Sequence, residues 1–310
     1  MNNMMIREIT YIIPAQESCR LSTFLRRKGY SRQNLVEMKK YPDCAMVNGD
    51  PAHFNVPVRS GDRVVIRIRE THEPTVLPVR LPIKILYEDE DLLIVDKPAG
   101  MPTHPSFGNY DNTLANAVTW HCCRQDPGFV FRCSNRLDRD TSGLTVVAKH
   151  FVSAGMLSEM GVRHAIRRDY LAIVRGVPQP SSGTIDKPLG RKPGSILERT
   201  IDPDGEQAVT HYHVLETKNG HSLVSLTLET GRTHQIRIHM KSIGYPLIGD
   251  YLYNPDFEYI SRQALHAHRL RFTQPLTGKA LDFVSELPED MRHVLEEPRH
   301  ETGDGFLVSF

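Results

Sequence analysis

Apolar positions along this chain follow two periods, and the period switches where one element gives way to the next. Leu21, Phe24 and Leu25 share one helical face, with Arg26-Arg27-Lys28 beside it. Ser31 reads as the N-cap of a second helix that carries Leu35 and Met38. Ala45-Met46-Val47 then meets Asn48-Gly49, a hairpin-turn pair. Gly61-Asp62 makes another turn ahead of a strand over 64–68. Pro74, Pro78 and Pro82 stiffen the stretch 71–81 into a linker. Strands follow at 83–87 and 92–95, with the acidic turn 88–91 between them. Asp111 or Asn112 caps a helix whose Leu114, Val118 and Cys122 form a core stripe. An apolar run at 144–149 reads as a buried strand, 153–167 as a helix and 170–174 as a strand. Residues 183–207 are polar and rich in Gly and Pro, which predicts a flexible loop. Strands return at 209–215 and 223–229, the latter alternating apolar and polar positions as a half-buried strand does. Ile236, Met240 and Ile243 place a helix that Gly244 closes. A strand over 270–272 follows, and the tail from 297 is polar.

The length of 310 residues, 39% of them hydrophobic, predicts one large or two modest domains with a real core. No apolar run approaches the roughly 18 residues of a membrane span. The first residues lack the apolar stretch and cleavage site of a signal peptide. A cytoplasmic location and no membrane partner are therefore expected. Five cysteines form an odd set without framework spacing, so reduced thiols are expected. His211-x-His213 and His266-x-His268 have metal-pair spacing, but no further ligand set completes either one. Neither a Walker loop nor a dinucleotide glycine signature is present. No metal and no cofactor are expected. Charge is uneven: residues 1–80 carry 13 Lys and Arg against 8 Asp and Glu, and the remainder 25 against 29. A basic N-terminal segment on a near-neutral body fits a phosphate-gripping appendage, and equally a solubility tail.

The densest chemistry lies in Asn135-Arg136-Leu137-Asp138-Arg139-Asp140-Thr141-Ser142-Gly143-Leu144. Charged groups crowd a loop that leads directly into the buried strand. Taken bare, such a run is a solvated turn or a functional loop. The continuation Thr-Ser-Gly-Leu separates the two. The segment resembles the catalytic motif of the RluA-type pseudouridine synthases, His-Arg-Leu-Asp-x-x-Thr-Ser-Gly-Leu, with Asn135 where the family usually has His. Two further stretches match in the family's order. Arg168-x-Tyr170-x-Ala172-x-Val174-x-Gly176 resembles the second motif, and Gly231-Arg232-Thr233-His234-Gln235-Ile236-Arg237-x-His239 the third. Asp96-Lys97-Pro98-Ala99-Gly100 with His104-Pro105 resembles a loop that borders the family's active site. Lys97 then either faces substrate or is a surface charge. The resemblance runs from about residue 81 to 290.

The resemblance implies an α+β pseudouridine synthase fold, a mixed, largely antiparallel curved sheet with flanking helices. It implies an isomerase that acts on RNA. Asp138 is the implied nucleophile. Arg232 is its ion-pair partner, and Tyr170 stacks on the uracil and stands near C5. Arg136 enters the gap left by the flipped base. Gln235 joins the RNA-facing set. Asp140, Thr141 and Ser142 are expected to satisfy the loop itself. The helix–helix–hairpin order over 14–70, with Ser31-Arg32, Val47-Asn48-Gly49 and Gly61-Asp62, is similar to an S4 RNA-binding domain. Arg26, Arg27, Lys28 and Arg32 would then face phosphates. The expected division is 14–70 S4-like, 71–81 linker, 82–296 catalytic and 297–310 tail, with the first module moving on its linker. A monomer acting on RNA is expected. Large ribosomal RNA is favoured, and transfer RNA is the alternative. A non-catalytic RNA-binding protein would have lost Asp138, Tyr170 or Arg232. A glycosidase would need Asp138 and Asp140 on opposite sides of one bond, which two positions on one loop do not supply.

Overall fold

The structure is a computed structural model that describes residues 6–70 and 75–296. The expected tail at 297–310 and the first four linker residues lie outside the described residues. The chain forms two compact units. One runs up to Arg168 and takes in Arg269–Ser285, and the other holds Asp169–His268 and the residues from Glu286 onward.

The first unit opens with β1 (Ile6–Ile12), β2 (Ser18–Arg20), α1 (Leu21–Arg27), α2 (Arg32–Met38), β3 (Ala45–Val47), β4 (Asp50–Pro51), β5 (Pro57–Arg59) and β6 (Arg63–Arg69). Their four-stranded sheet has the order β1-β6-β3-β4. The expected helix, helix and hairpin are all present. Ser31 caps α2, and Asn34 completes a reciprocal capping box. Asn48 and Gly49 take the positive φ angles of a tight hairpin turn, 53° and 98°. The module begins ahead of the expected boundary at residue 14. β1 pairs with β6 along all of Ile6–Ile12, yet its pattern is mostly exposed, so the alternation is faint.

Next come β7 (Lys84–Glu88), β8 (Leu92–Lys97), α3 (Leu114–Cys123), β9 (Arg132–Cys133), β10 (Ser142–Ala148) and α4 (Phe151–Val162). β10 pairs antiparallel with β8 and β9, and all seven of its residues are buried. Leu144 and Val146 join a core with Leu157 of α4, while Val147 joins one with Leu114 and Val118 of α3. Helices therefore cover both faces of this strand, which is why all of it is buried. Thr113, not Asp111 or Asn112, caps α3, with Asn116 closing the box.

The N-terminal module is not free-standing. Val152 and Met156 of α4 lie in the same apolar cluster as Leu21, Phe24 and Ile66. Asn34 Nδ2 donates to the Phe151 carbonyl at 3.1 Å. A Cβ on Gly155 would stand 2.8 Å from Asn34 Oδ1, so the glycine inside α4 makes room for that contact. Arg132 meets Glu70 through two bonds of 2.7 and 3.0 Å. The expected motion on a proline linker is replaced by a shared core.

Asp91, expected in an acidic turn, is the buried centre of this junction at 1% exposure. Its carboxylate accepts from Arg7 Nε at 2.8 Å, His150 Nε2 at 3.0 Å and Gln274 Nε2 at 2.9 Å. His150 Nδ1 accepts from the Ser153 N–H, so the ring proton sits on Nε2 and points at Asp91. Burial pushes the Asp91 carboxyl up, but the hydrogen bonds from His150 and Arg7 overcome it and hold it well below the usual carboxylate range.

The chain continues with β11 (Arg167–Arg175), β12 (Ser182–Asp186), β13 (Leu189–Arg191), β14 (Arg199–Ile201), β15 (Val209–Lys218), β16 (His221–Leu228), α5 (Gln235–Ser242), β17 (Leu265–Thr273), β18 (Ala280–Val284) and α6 (Glu289–Glu296), most of them in the second unit. β11 and β17 begin in one unit and end in the other, and β18 belongs to the first. The order β12-β15-β16-β11 is antiparallel throughout. The loop expected over 183–207 is largely strand. β12 pairs with β15, and β13 with β14. Gly and Pro here serve short strands and tight approaches. Among the described residues no helix is long and apolar enough to cross a membrane.

Replacing Asp91 by Ala leaves the buried His150 N–H and the Gln274 amide without their acceptor and Arg7 with only Glu90 and the Glu8 carbonyl, and we predict a loss of about 3 kcal/mol in urea unfolding. The folded carboxyl lies below its unfolded value near ~4, so its contribution is complete above about pH 4 and is lost as pH falls through the folded value. The gap between wild type and Asp91→Ala should therefore hold down to about pH 4 and narrow as pH falls further toward the folded value.

Candidate active site

The loop that carries Asp138 connects β9 to β10, and its residues alternate between anchored and presented. Asn135 is buried. Its Nδ2 donates to the Leu144 carbonyl at 3.1 Å, and its Oδ1 accepts the Val146 N–H at 2.9 Å. Its own carbonyl accepts the Thr145 hydroxyl at 2.8 Å. The side chain at this position has to offer one donor and one acceptor to β10, and an amide does so. Leu137 is buried, and Thr103 Oγ1 donates to its carbonyl at 2.8 Å. Arg136 and Asp138 fall between these anchors. Arg136 is exposed and Asp138 half-buried.

Lys97 is neither a surface charge nor positioned by exposure to meet substrate. It is fully buried, and its Nζ donates to the carbonyls of Pro98 at 2.8 Å, Met101 at 2.7 Å and Arg139 at 3.0 Å. An ammonium has three N–H donors, and three carbonyls surround it. One side chain thus ties the loop after β8 to the loop before β10. Arg139 grips Asp140 through bonds of 3.0–3.2 Å, and the Thr141 N–H donates to the Asp138 carbonyl at 3.2 Å. Asp140 serves the loop, which removes the second carboxylate a glycosidase would need.

In the second unit, Tyr170 lies on β11 opposite Leu226 and is 6% exposed. Arg232 lies in the turn between β16 and α5, three residues ahead of the helix. Its Nε donates to the Gln207 carbonyl and its Nη1 meets Glu206 Oε1, both at 3.1 Å. A cleft of about 470 Å³ opens beside it, lined by Arg191, Arg199, Asp202, Asp204 and Glu206 among others.

Gln235 is not an RNA-facing residue. It is 2% exposed, and its amide is spent inside the protein. Nε2 donates to the Val209 carbonyl at 2.9 Å and to Thr210 Oγ1 at 3.0 Å. Oε1 accepts the Arg232 N–H at 3.0 Å and the Thr230 hydroxyl at 2.8 Å. His239 Nε2 donates to the Lys187 carbonyl at 3.0 Å, so Nδ1 accepts from Thr210, which in turn receives Gln235. Burial pushes the His239 ring below its ordinary pKa, in keeping with this neutral tautomer. Arg237 and Asp250 form a fully buried pair through two bonds of 2.7 Å, with the Tyr253 ring 5.0 Å from the guanidinium. The apolar stripe of α5 gives no hint of this polar scaffold. A signal for it does exist in the sequence: a short helix between two strands carries Gln, Arg and His on the faces its apolar stripe leaves open.

The four basic residues of the first module, Arg26, Arg27, Lys28 and Arg32, are all exposed. Arg27 reaches Glu17 at 2.8 Å, and Lys28 stands 5.5 Å from the Phe24 ring. Among the described residues no group of three or more His, Cys, Asp or Glu is placed to hold a metal ion. His211 bonds Glu229 and Thr184 instead.

This fold and these motif loops define an RNA pseudouridine synthase. A model described as RNA pseudouridylate synthase matches residues 91–242. Over 297 residues the chain is 40% identical to the uncharacterized RNA pseudouridine synthase YlyB of Bacillus subtilis (strain 168), covering 92% of this chain and 95% of that one. It is 43% identical over 234 residues to ribosomal large subunit pseudouridine synthase D of Zymomonas mobilis, covering 69% and 72% of the two chains. The solved structure of human RNA pseudouridylate synthase domain containing 1 matches with a TM-score of 0.55 at 28% identity, over 66% of this chain and 83% of that one. The chain belongs to the RluA-type RNA pseudouridine synthases and is an isomerase acting on RNA.

Asn135→Ala leaves the Leu144 carbonyl and the Val146 N–H without their partner in the core, each costing about 1–3 kcal/mol. Asn135→His keeps one ring donor and one ring acceptor. We predict that thermal unfolding falls sharply for the alanine variant and only slightly for the histidine variant, with activity following the same order.

Proposed function

We propose that this isomerase converts particular uridines of large-subunit ribosomal RNA to pseudouridine, with Asp138 as nucleophile. The observation that carries the reading is the Asp138 loop, where the buried Asn135 and Leu137 anchor the chain on either side of Arg136 and leave Asp138 half-exposed just ahead of a buried strand. The reaction breaks the N1–C1′ bond of a uridine, turns the uracil, and joins C5 to C1′. The C5 proton leaves and N1 gains one, so no oxidant or reductant enters the balance. Asp138 either attacks C1′ or assists departure of the base and handles the resulting intermediate. It has to stay ionised while RNA excludes water from it, and a cation makes that possible. Arg232 has that role in this reading. Tyr170 offers the flipped uracil an aromatic face, worth roughly 1–3 kcal/mol per stacked base, and a hydroxyl near C5. Arg136 fills the space the uridine leaves, offsetting part of a flipping cost of a few kcal/mol.

Arg26, Arg27, Lys28 and Arg32 of the S4-like module grip phosphates. Their exposure on adjoining helices supports this role. The ribosomal target is supported by relatives named as acting on the ribosomal large subunit, at 43% and 35% identity. A cytoplasmic monomer is part of the same reading, and all five cysteines are free thiols, as a reducing compartment favours.

Carbodiimide mapping of pseudouridine across ribosomal and transfer RNA tests it. Cells lacking the protein are rescued with wild type or Asp138→Ala. We expect defined large-subunit uridines to lose the mark and only wild type to restore it. Restoration by Asp138→Ala rejects the nucleophile, and loss confined to transfer RNA rejects the target. For the module, Arg26→Glu with Arg32→Glu should weaken binding of the same RNA. The salt slope should become shallower by about one for each phosphate the module no longer reaches, while single-turnover rates at saturating RNA stay near wild type.

A further inference from the structure

The chain between β8 and α3 presents an aromatic side chain to solvent from a firmly held turn. Phe107 is 95% exposed, and Tyr110, three residues on, is 64% exposed. Single exposed apolar residues are ordinary. Here the backbone beneath them is fastened at every step. Ser106 and Asn109 exchange two backbone hydrogen bonds of 3.0 and 2.8 Å around Phe107-Gly108, and Gly108 supplies the positive φ of 75° that the turn needs. Asn112 Nδ2 bonds Asn109 Oδ1 at 3.1 Å, and the buried Asn116 holds the Tyr110 carbonyl at 3.0 Å. Upstream, Thr103 bonds Leu137 and Lys97 bonds Met101, so the turn and the Asp138 loop share one frame.

His104 opens this stretch. Its ring packs edge-on against Phe131 at 5.2 Å, and burial together with the Arg136 charge pushes its pKa down. Thr103, next to His104, bonds the carbonyl and N–H of Leu137, next to Arg136, so Arg136 is close to the start of the turn. Phe107 lies three residues further on, at most about 11 Å along the chain. The turn therefore lies within a few nucleotides' reach of Arg136 along a bound strand.

We propose that Phe107 is a stacking platform for an unpaired RNA base a few nucleotides from the uridine that is flipped beside Arg136. The proposal rests on the reading of Arg136 and Asp138 given above. An aromatic face accepts any base, because every base has a π face. Unstacked bases in loops are what proteins grip in this way. The platform then sets the position of the strand that feeds the active site, and it acts on binding before chemistry.

Phe107→Ala, Phe107→Leu and Phe107→Tyr in the full chain test the proposal. The probes are unmodified transcripts of large-subunit ribosomal RNA and of transfer RNA, and the one wild type binds more tightly is carried forward. We expect Phe107→Ala and Phe107→Leu to bind about tenfold or more weakly, with the slope of log Kd against log salt unchanged, because every phosphate keeps its cation. Phe107→Tyr should bind as wild type. KM should rise in the alanine variant while kcat holds. Wild-type affinity in Phe107→Ala, or in Phe107→Leu, overturns the platform. Weaker binding accompanied by a shallower salt slope does so as well, since it marks an electrostatic role. Wild type that binds neither transcript rejects the RNA reading of the whole site, an outcome distinct from failure of the platform alone.

Discussion

A charged loop can be held against a core strand only if its backbone polar groups find partners there, and Lys97 and Asn135 provide them. Taking an ammonium out of water costs several kcal/mol. Three charge-assisted hydrogen bonds to carbonyls, at roughly 1.5–3 kcal/mol each, are of the size that offsets it. Lys97 thereby fastens Pro98, Met101 and Arg139 at once. Asn135 does the corresponding work from the other side, on Leu144 and Val146 of β10. With both anchors made, Arg136 and Asp138 are held between fastened neighbours, Asn135 and Leu137 on one side and the Arg139 carbonyl on the other.

The second unit solves the same problem with different groups. The turn carrying Arg232 has no apolar side chain to pin it, so Gln235 reaches back and accepts the Arg232 N–H. Gln235 is itself held by Val209 and by Thr210, which His239 fixes in turn. Every member of this chain is satisfied, which is the condition for a buried polar network to rigidify its surroundings. The Arg237–Asp250 pair belongs to the same helix and is fully buried. Such pairs add little net stability but cost heavily when half is removed. Both units therefore place the candidate catalytic groups on loops and spend buried polar residues on holding those loops still.

The motifs and most elements were legible in the sequence, because they depend on local pattern. Ser31, Asn48-Gly49 and the stripe Leu114, Val118, Cys122 report on their neighbours within a few residues. Asp138 and Arg232 are candidates through motif likeness alone. What escaped depends on partners far apart in the chain. Asp91 sat among acidic residues in a turn, and only Arg7, His150 and Gln274 make it a buried centre. Lys97 read as either of two exposed roles, because nothing local shows that three carbonyls converge on it. Gln235 sat in a string associated with substrate and was assigned to RNA, although its amide faces inward. The stretch 183–207 read as loop because its strands span only three to five residues. Polar residues with distant partners are the ones that sequence pattern describes worst.

The buried junction around Asp91 bears on how the N-terminal module acts. A module on a slack linker raises the local concentration of RNA but leaves its orientation open. Here α4 contributes Val152 and Met156 to the module's core, and Asn34, Glu70 and Arg7 add polar ties. The Asp138 loop, the turn bearing Phe107 and the basic helices thus belong to one compact unit. If the proposed phosphate contacts form, they constrain direction as well as affinity, since the module shares its core with the unit that carries the Asp138 loop. An enzyme whose chemistry would act on any accessible uridine needs such a constraint, because the reacting atoms themselves carry no information about which uridine it is.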